Sequence, residues 1–325
     1  MNMRVTIAGA GAVGCYVGGC LALAGRDVTL LARPAMAETL RNGLRVSDFE
    51  GRDRTASPSQ FRVVTDAVEA FRDPGTILVT VKSLDTAAMA QSIRAYAAAA
   101  TVVSLQNGVG NIEVLKSAGF PPVTGMVPFN VVVDGNRFHR ATGGEILVDD
   151  PQYASLLNVE GLPTEARDDM PNVQWAKLLM NLNNALNALA GIPLLAQLND
   201  PKWRRVMALQ SAEALDILRA AGIKPVKLGR VSPNIVPYVL QLPTPLFRFV
   251  AKQMLAIDPS ARLSMYEDLR RGRPTEIDFL QGAIAALAEK HGKKAPMTER
   301  VIAQIKHAEA AHEGSPNLSA DALLR

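Results

Sequence analysis

Hydrophobic residues in the first half of the chain come in short runs, and those in the second half recur at helical spacing. Residues 4–8 form a β-branched run suited to a buried parallel strand, and residues 28–32 form a second. Between them lie a glycine-rich turn and a helical stretch to about Ala24, with Gly25 as its expected C-cap. Residues 44–47 and 61–65 read as short strands around a polar excursion, 48–60. Residues 76–81 read as a buried strand leading into a helix that ends near Ala98, and 101–105 as the next strand. Segments 122–133 and 144–149 read as further strands, expected to be antiparallel. An edge strand is expected between Asp149 and Asp169.

The rhythm then changes. Residues 172–190, 199–221 and 275–291 are rich in alanine and leucine at helical spacing, and Gly191, Gly222 and Gly292 stand where C-caps fall. Pro225, Pro233, Pro237, Pro243, Pro245 and Pro259 break the span 223–262 into short helices and turns, and the tail after Gly314 reads as loop. The pattern predicts an α/β Rossmann-like domain over residues 1–168 and an all-helical domain over 169–325. A length of 325 residues suits two domains.

Composition narrows the function. With 35 basic and 31 acidic residues the net charge is +4, too mild for a dedicated nucleic-acid binder. Two cysteines, Cys15 and Cys20, and four histidines exclude a disulfide scaffold and argue against a zinc site, so no metal is expected. The cytoplasm is the natural compartment. Residues 5–24 carry no charge and end in Ala22-Leu23-Ala24, a length and ending that a membrane span or export signal would also have. Five glycines dilute that stretch, and Met1-Asn2-Met3-Arg4 offers little charge ahead of it, so no membrane partner is expected.

The same glycines fit a nucleotide turn. Gly9-Ala10-Gly11-Ala12-Val13-Gly14 matches G-x-G-x-x-G in a full strand–turn–helix–strand context. Gly9 allows the sharp exit from the strand, Gly11 lets a pyrophosphate approach the backbone, and Gly14 lets the helix pack on the sheet. A packing turn without ligand is the plainer alternative. NAD sites carry an acidic residue at the end of the second strand; here Leu31-Ala32-Arg33-Pro34 places Arg33 there instead. A guanidinium suits a 2′-phosphate, which favours NADP (NADPH) over NAD, the alternative being an ordinary solvated arginine. Lys82 and Asn107 end later strands and are expected to face the cofactor, although Asn107-Gly108 also reads as a turn pair.

Two further clusters carry candidate chemistry. Residues 175–187 are apolar apart from Lys177 and four asparagines, which are poor helix formers. At about 100° per residue, Asn181 lies about 40° to one side of Lys177 and Asn184 about 20° to the other. The stripe would cradle a 2-oxo acid, or else be a buried polar network. Ser264 with Glu267, and Thr275 with Asp278, read as capping boxes, and Glu276 as a first-turn complement to a helix dipole.

Together these motifs resemble the ketopantoate reductase (2-dehydropantoate 2-reductase) family over nearly the whole chain. The landmarks are the glycine turn, Val81-Lys82-Ser83, Gln106-Asn107-Gly108, Trp175-Ala176-Lys177-Leu178-Leu179-Met180-Asn181, Ser264-Met265 and Gly272-Arg273-Pro274-Thr275-Glu276-Ile277-Asp278. The resemblance implies an NADP-dependent oxidoreductase of pantothenate biosynthesis with its site in the cleft between a Rossmann and a helical domain. It implies Lys177 as general acid, Asn181 and Ser264 on substrate, Asn107 near both ligands and Glu276 on the nicotinamide ribose. Whether Glu276 fixes that ribose or orients Lys177 stays open. Many relatives carry an asparagine eight residues beyond the lysine; this chain has Ala185 there, preceded by Asn184. A related branched 2-oxo acid, a 3-hydroxy acid or a sugar phosphate therefore stand as alternative substrates, and a non-catalytic NADP-binding regulator as an alternative role. A homodimer is left open beside a monomer.

Overall fold

The structure, a computed structural model, describes residues 4–228, 231–252, 255 and 259–324. Met1-Asn2-Met3 and parts of the proline-broken span 223–262 lie outside the described residues. The chain divides into two compact units, Met1–Met170 and Pro171–Arg325.

The first unit contains twelve described strands: β1 (Arg4–Ala8), β2 (Asp27–Leu31), β3 (Leu44–Asp48), β4 (Asp53–Ala56), β5 (Phe61–Val64), β6 (Thr76–Val79), β7 (Thr101–Ser104), β8 (Val123–Met126), β9 (Val131–Asp134), β10 (Arg137–Arg140), β11 (Ile146–Val148) and β12 (Thr164–Ala166). Eight form one sheet in the order β12-β11-β8-β7-β6-β1-β2-β5. From β8 to β5 this sheet is parallel throughout, as its continuous apolar runs require of a sheet covered on both faces. β3 and β4 form a hairpin in a smaller sheet, β4-β3-β10-β9, against which the first helix also packs.

Segment 122–133 therefore differs from the expected antiparallel closure. Its first half, β8, runs parallel to β7, and its second half enters the other sheet as β9. The antiparallel expectation holds for β11, which pairs onto β8, and for β9, which pairs with β10 in the smaller sheet; β12 is the expected edge strand.

The uncharged N-terminal run is split between β1, a turn and the helix Ala12–Leu23, whose Gly18 and Gly19 pack against Leu30 of β2 and Leu44 of β3. Among the described residues no helix is long and apolar enough to cross a membrane.

The second unit is helical. Pro201–Ala220 and Ile277–Lys290 match the predicted spans to within a few residues, and Gly191, Gly222 and Gly292 all take the left-handed conformation past helix ends. The predicted helix 172–190 is instead two, Met170–Asn181 and Asn183–Ala190, separated at Leu182. Pro296–Ala311 is a further helix, begun by Met297 and Thr298 backbone N–H groups donating to Glu213. Short helices at Val236–Leu240 and Thr244–Val250 occupy the proline-rich span. They are gathered by the buried Arg204, which donates to the Leu240 and Leu242 carbonyls and to Thr244 and lies over the Phe247 ring at 4.4 Å.

Candidate active site

In the first unit the candidate nucleotide-binding residues follow four adjacent parallel strands. Gly9 follows β1, Arg33 follows β2, Lys82 follows β6 and Asn107 follows β7, so all four lie past the carboxyl ends, where open α/β sheets bind ligands.

The turn shows the division of labour among its glycines. Gly9 has φ +114°, and a Cβ there would sit 2.6 Å from Val81 Cγ1 and 2.8 Å from the Val81 backbone nitrogen. A Cβ on Gly14 would collide with the Gly9 carbonyl oxygen and reach Thr80 Oγ1 at 2.7 Å. Gly11 meets nothing within 4 Å, so its missing side chain leaves open space rather than relieving a contact. The fold needs Gly9 and Gly14 for contacts that Gly11 does not make. Ala10 N–H is committed to the Leu31 carbonyl and Gly11 N–H to the Gly9 carbonyl. Cys15 is the first residue to donate along the helix, so the N–H groups of Ala12, Val13 and Gly14 head its N-terminus. The first turn holds no acidic residue to compete with an anion.

Arg33 is the N-cap of a short helix and extends into solvent, its side chain 85% exposed and 3.3 Å from Asp85 Oδ2. Lys82 and Asn107 are both exposed. Their loops are tied by a buried relay: Gln106 Nε2 donates to Thr86 Oγ1 at 2.7 Å, and Thr86 to Asn111 Oδ1 at 2.9 Å. Asn111 Nδ2 donates to Ser83 Oγ at 3.1 Å, and Ser83 to the Asn107 carbonyl at 3.0 Å. Asn107-Gly108 lies in a bend, with Gly108 at φ +82°.

In the second unit Lys177 and Asn181 share the helix Met170–Asn181. Lys177 is only 8% exposed, and burial pushes its ammonium pKa down from 10.5 to about 8. Asn181 is half-buried four residues later, on the same face. Asn184, on the helix Asn183–Ala190, donates through Nδ2 to Ser264 Oγ at 3.3 Å, whereas Ala185 is fully buried. The other two asparagines belong to a structural network. Asn183 Oδ1 accepts from Gln197, and Asn187 Nδ2 donates to Gln197 Oε1. Asn187 Oδ1 accepts the Leu263 N–H at 3.0 Å, fixing the backbone just before Ser264.

The capping boxes do not form. Ser264 is the first residue of its helix, Leu263 is the N-cap and no side chain caps it; Glu267 turns to Arg270. Thr275 Oγ1 accepts the Ile277 N–H, but its own N–H goes to Glu309 while Asp278 pairs with Lys306. Ser264 is thus left exposed, its hydroxyl turned to Asn184 rather than to its own helix. Glu276 is half-buried and serves as N-cap of Ile277–Lys290 through its backbone carbonyl. The side chains that spacing alone did not single out, Thr86, Asn111, Asn187 and Gln197, are supports beneath the candidate residues.

Similarity to known proteins follows the same two-part division. The family described as Ketopantoate reductase PanE/ApbA matches residues 5–152, and its C-terminal counterpart matches residues 169–309. The chain is 30% identical to the 2-dehydropantoate 2-reductase of Halobacterium salinarum, over 93% of this chain and 97% of that one. It is 26% identical to the enzyme of the same name from Archaeoglobus fulgidus, over 94% and 98%. A crystal structure of a PanE/ApbA family ketopantoate reductase from Ralstonia eutropha JMP134 superposes with a TM-score of 0.80 at 29% identity, covering 96% of this chain and all of the other. The chain belongs to the ketopantoate reductase family of oxidoreductases.

Proposed function

We propose that this protein reduces ketopantoate (2-dehydropantoate) to pantoate with NADPH, and that Lys177 is the general acid. The carrying observation is the buried Lys177 ammonium, with Asn181 one turn on along the same helix face and its pKa brought to about 8. Near neutral pH about nine-tenths of such a group is still protonated, and its proton is far easier to give up than an ordinary lysine's.

NADPH, when bound, supplies the hydride that the C2 carbonyl carbon accepts. Lys177 stabilises the negative charge developing on the carbonyl oxygen and passes a proton to it, leaving a neutral amine that solvent reprotonates. Asn181, Asn184 and Ser264 offer amide and hydroxyl groups that hold the carboxylate and hydroxyl of the substrate, and Asn107 supports both ligands. Ala12, Val13 and Gly14 would receive the pyrophosphate at the helix N-terminus, with Gly9, Ala10 and Gly11 shaping the turn.

Arg33 is assigned to the 2′-phosphate. Its exposed pairing with Asp85 is of the kind worth about 0–1 kcal/mol, so a phosphate can replace the carboxylate at little cost. Lys82 adds positive charge past the end of a neighbouring strand. Glu276 is assigned to the nicotinamide ribose or to the orientation of Lys177.

The test is NADPH oxidation by the purified protein with ketopantoate first, then other branched 2-oxo acids, with the product identified. Pantoate formation at the highest kcat/KM of the panel supports the reading. Preference for another oxo acid would reassign the substrate, and NADPH binding without oxidation of any would overturn the assignment to catalysis.

A further inference from the structure

Lys177 and Asn181 stand on one helix and Asn184 on the next, so their relation depends on the junction at Leu182. In an unbroken helix the three would share one stripe by spacing alone; here the helix is divided at Leu182, whose backbone stays right-handed (φ −57°, ψ −28°) and whose N–H still donates to the Leu178 carbonyl. Two side chains from other helices meet at that junction. Gln281 Nε2, from Ile277–Lys290, donates to the Leu182 carbonyl at 2.8 Å. Gln210 Nε2, from Pro201–Ala220, donates to the same carbonyl at 3.2 Å. Gln281 Nε2 also donates to Gln210 Oε1 at 3.4 Å, and neither residue is more than 1% exposed.

The Gln281 amide is satisfied on one side only. Its Oε1 is buried without a hydrogen-bond partner. An apolar side chain of the same length would remove that stranded acceptor but would leave Gln210 Oε1 without its donor, so what the amide adds is its N–H bonds to the Leu182 carbonyl and to Gln210.

We propose that Gln281 and Gln210 are positioning residues, which pin the Leu182 junction and thereby set Lys177 and Asn181 in register with Asn184 and Ser264. The proposal rests on the reading of Lys177 as the general acid. Neither glutamine touches substrate; both act through the backbone between the two asparagine-bearing helices.

Gln281→Met and Gln210→Met keep length and burial while removing the donor. Each is expected to lower kcat about tenfold or more and raise the KM for ketopantoate, with the NADPH dissociation constant within twofold of the parent. The descending limb of the kcat–pH profile near pH 8 should also move, since the surroundings of Lys177 change. Thr298→Val, at another buried polar side chain of the same unit, is the control for stability loss and should retain kcat. Unchanged kcat and KM in both glutamine variants would overturn the proposal. So would losses no greater than those of Thr298→Val at equal thermal midpoint, or failure of both variants to fold, which would assign the amides to stability. Normal turnover by Lys177→Met would instead strike the underlying acid assignment, whatever the glutamine variants do.

Discussion

Asn184 Nδ2 donates to Ser264 Oγ across 3.3 Å, linking the helices Asn183–Ala190 and Ser264–Arg270. The bond lies at an accessible surface and neither partner is needed to cap its own helix. If the pair jointly orients the oxo acid, Asn184→Ala and Ser264→Ala should each raise its KM several-fold. A double-mutant cycle should then show coupling of about 0.5–1.5 kcal/mol in kcat/KM. Additive effects would mean that the two groups act on the substrate separately.

Gly11 and Gly14 separate binding from folding. Gly11→Ala places its Cβ in open space, so thermal stability should stay near the parent's, whereas NADPH should bind at least tenfold more weakly. Gly14→Ala drives a Cβ into the Gly9 carbonyl and should destabilise the first unit by about 1–3 kcal/mol. Calorimetry on both, with fluorescence titration of NADPH, checks the pair. Unweakened binding in Gly11→Ala would place the pyrophosphate elsewhere.

Arg33 makes the cofactor preference testable. Arg33→Ala should weaken NADPH by about ten- to a hundredfold and leave NADH within a factor of two, because only the former carries the phosphate. Asp85→Asn removes the competing carboxylate, and should tighten NADPH a few-fold at low salt with the gain fading as salt rises. Equal losses for the two nucleotides in Arg33→Ala would remove it from the phosphate site.

Lys177 sets a sign for stability. Its folded-state pKa, about 8, lies below the ordinary 10.5, so the unfolded chain holds this proton more tightly. The group therefore costs stability when protonated, below about pH 8, and the cost is relieved as pH rises from 8 toward 10.5. Lys177→Met should raise the unfolding free energy at pH 7 by up to about 3 kcal/mol, with the difference shrinking toward alkaline pH. Denaturation curves at several pH values give the answer. A variant less stable than the parent at pH 7 would contradict it.

The division of the chain and the glycine turn were legible because they depend on local periods and on steric demands that glycine meets alone. Gly9 and Gly14 have no room for a Cβ, the first against Val81 and the second against the Gly9 carbonyl, and glycine alone meets that demand whatever supplies the neighbour. The junction at Leu182 was not legible, because Gln210 and Gln281 reach it from 28 and 99 residues away. One clue was local: Gln281 falls in the apolar stripe of Ile277, Leu280, Ile284 and Ala288, where a buried amide needs a partner. The capping boxes failed for a similar reason, since Glu309 takes the Thr275 N–H from 34 residues away. The split of segment 122–133 between two sheets likewise depends on β10, which recruits β9.

The proposed reaction has Lys177 deliver the proton in NADPH-dependent reduction of ketopantoate. Its most direct test is kcat for ketopantoate against pH, in the parent and in Lys177→Met, with NADPH affinity measured alongside. The parent is expected to hold a plateau at neutral pH and to fall about tenfold per unit above pH 8. Lys177→Met should bind NADPH normally yet lose about a hundredfold to ten-thousandfold in kcat, with that alkaline limb gone. A variant that turns over within a few-fold of the parent, or that keeps the same limb, would contradict the account.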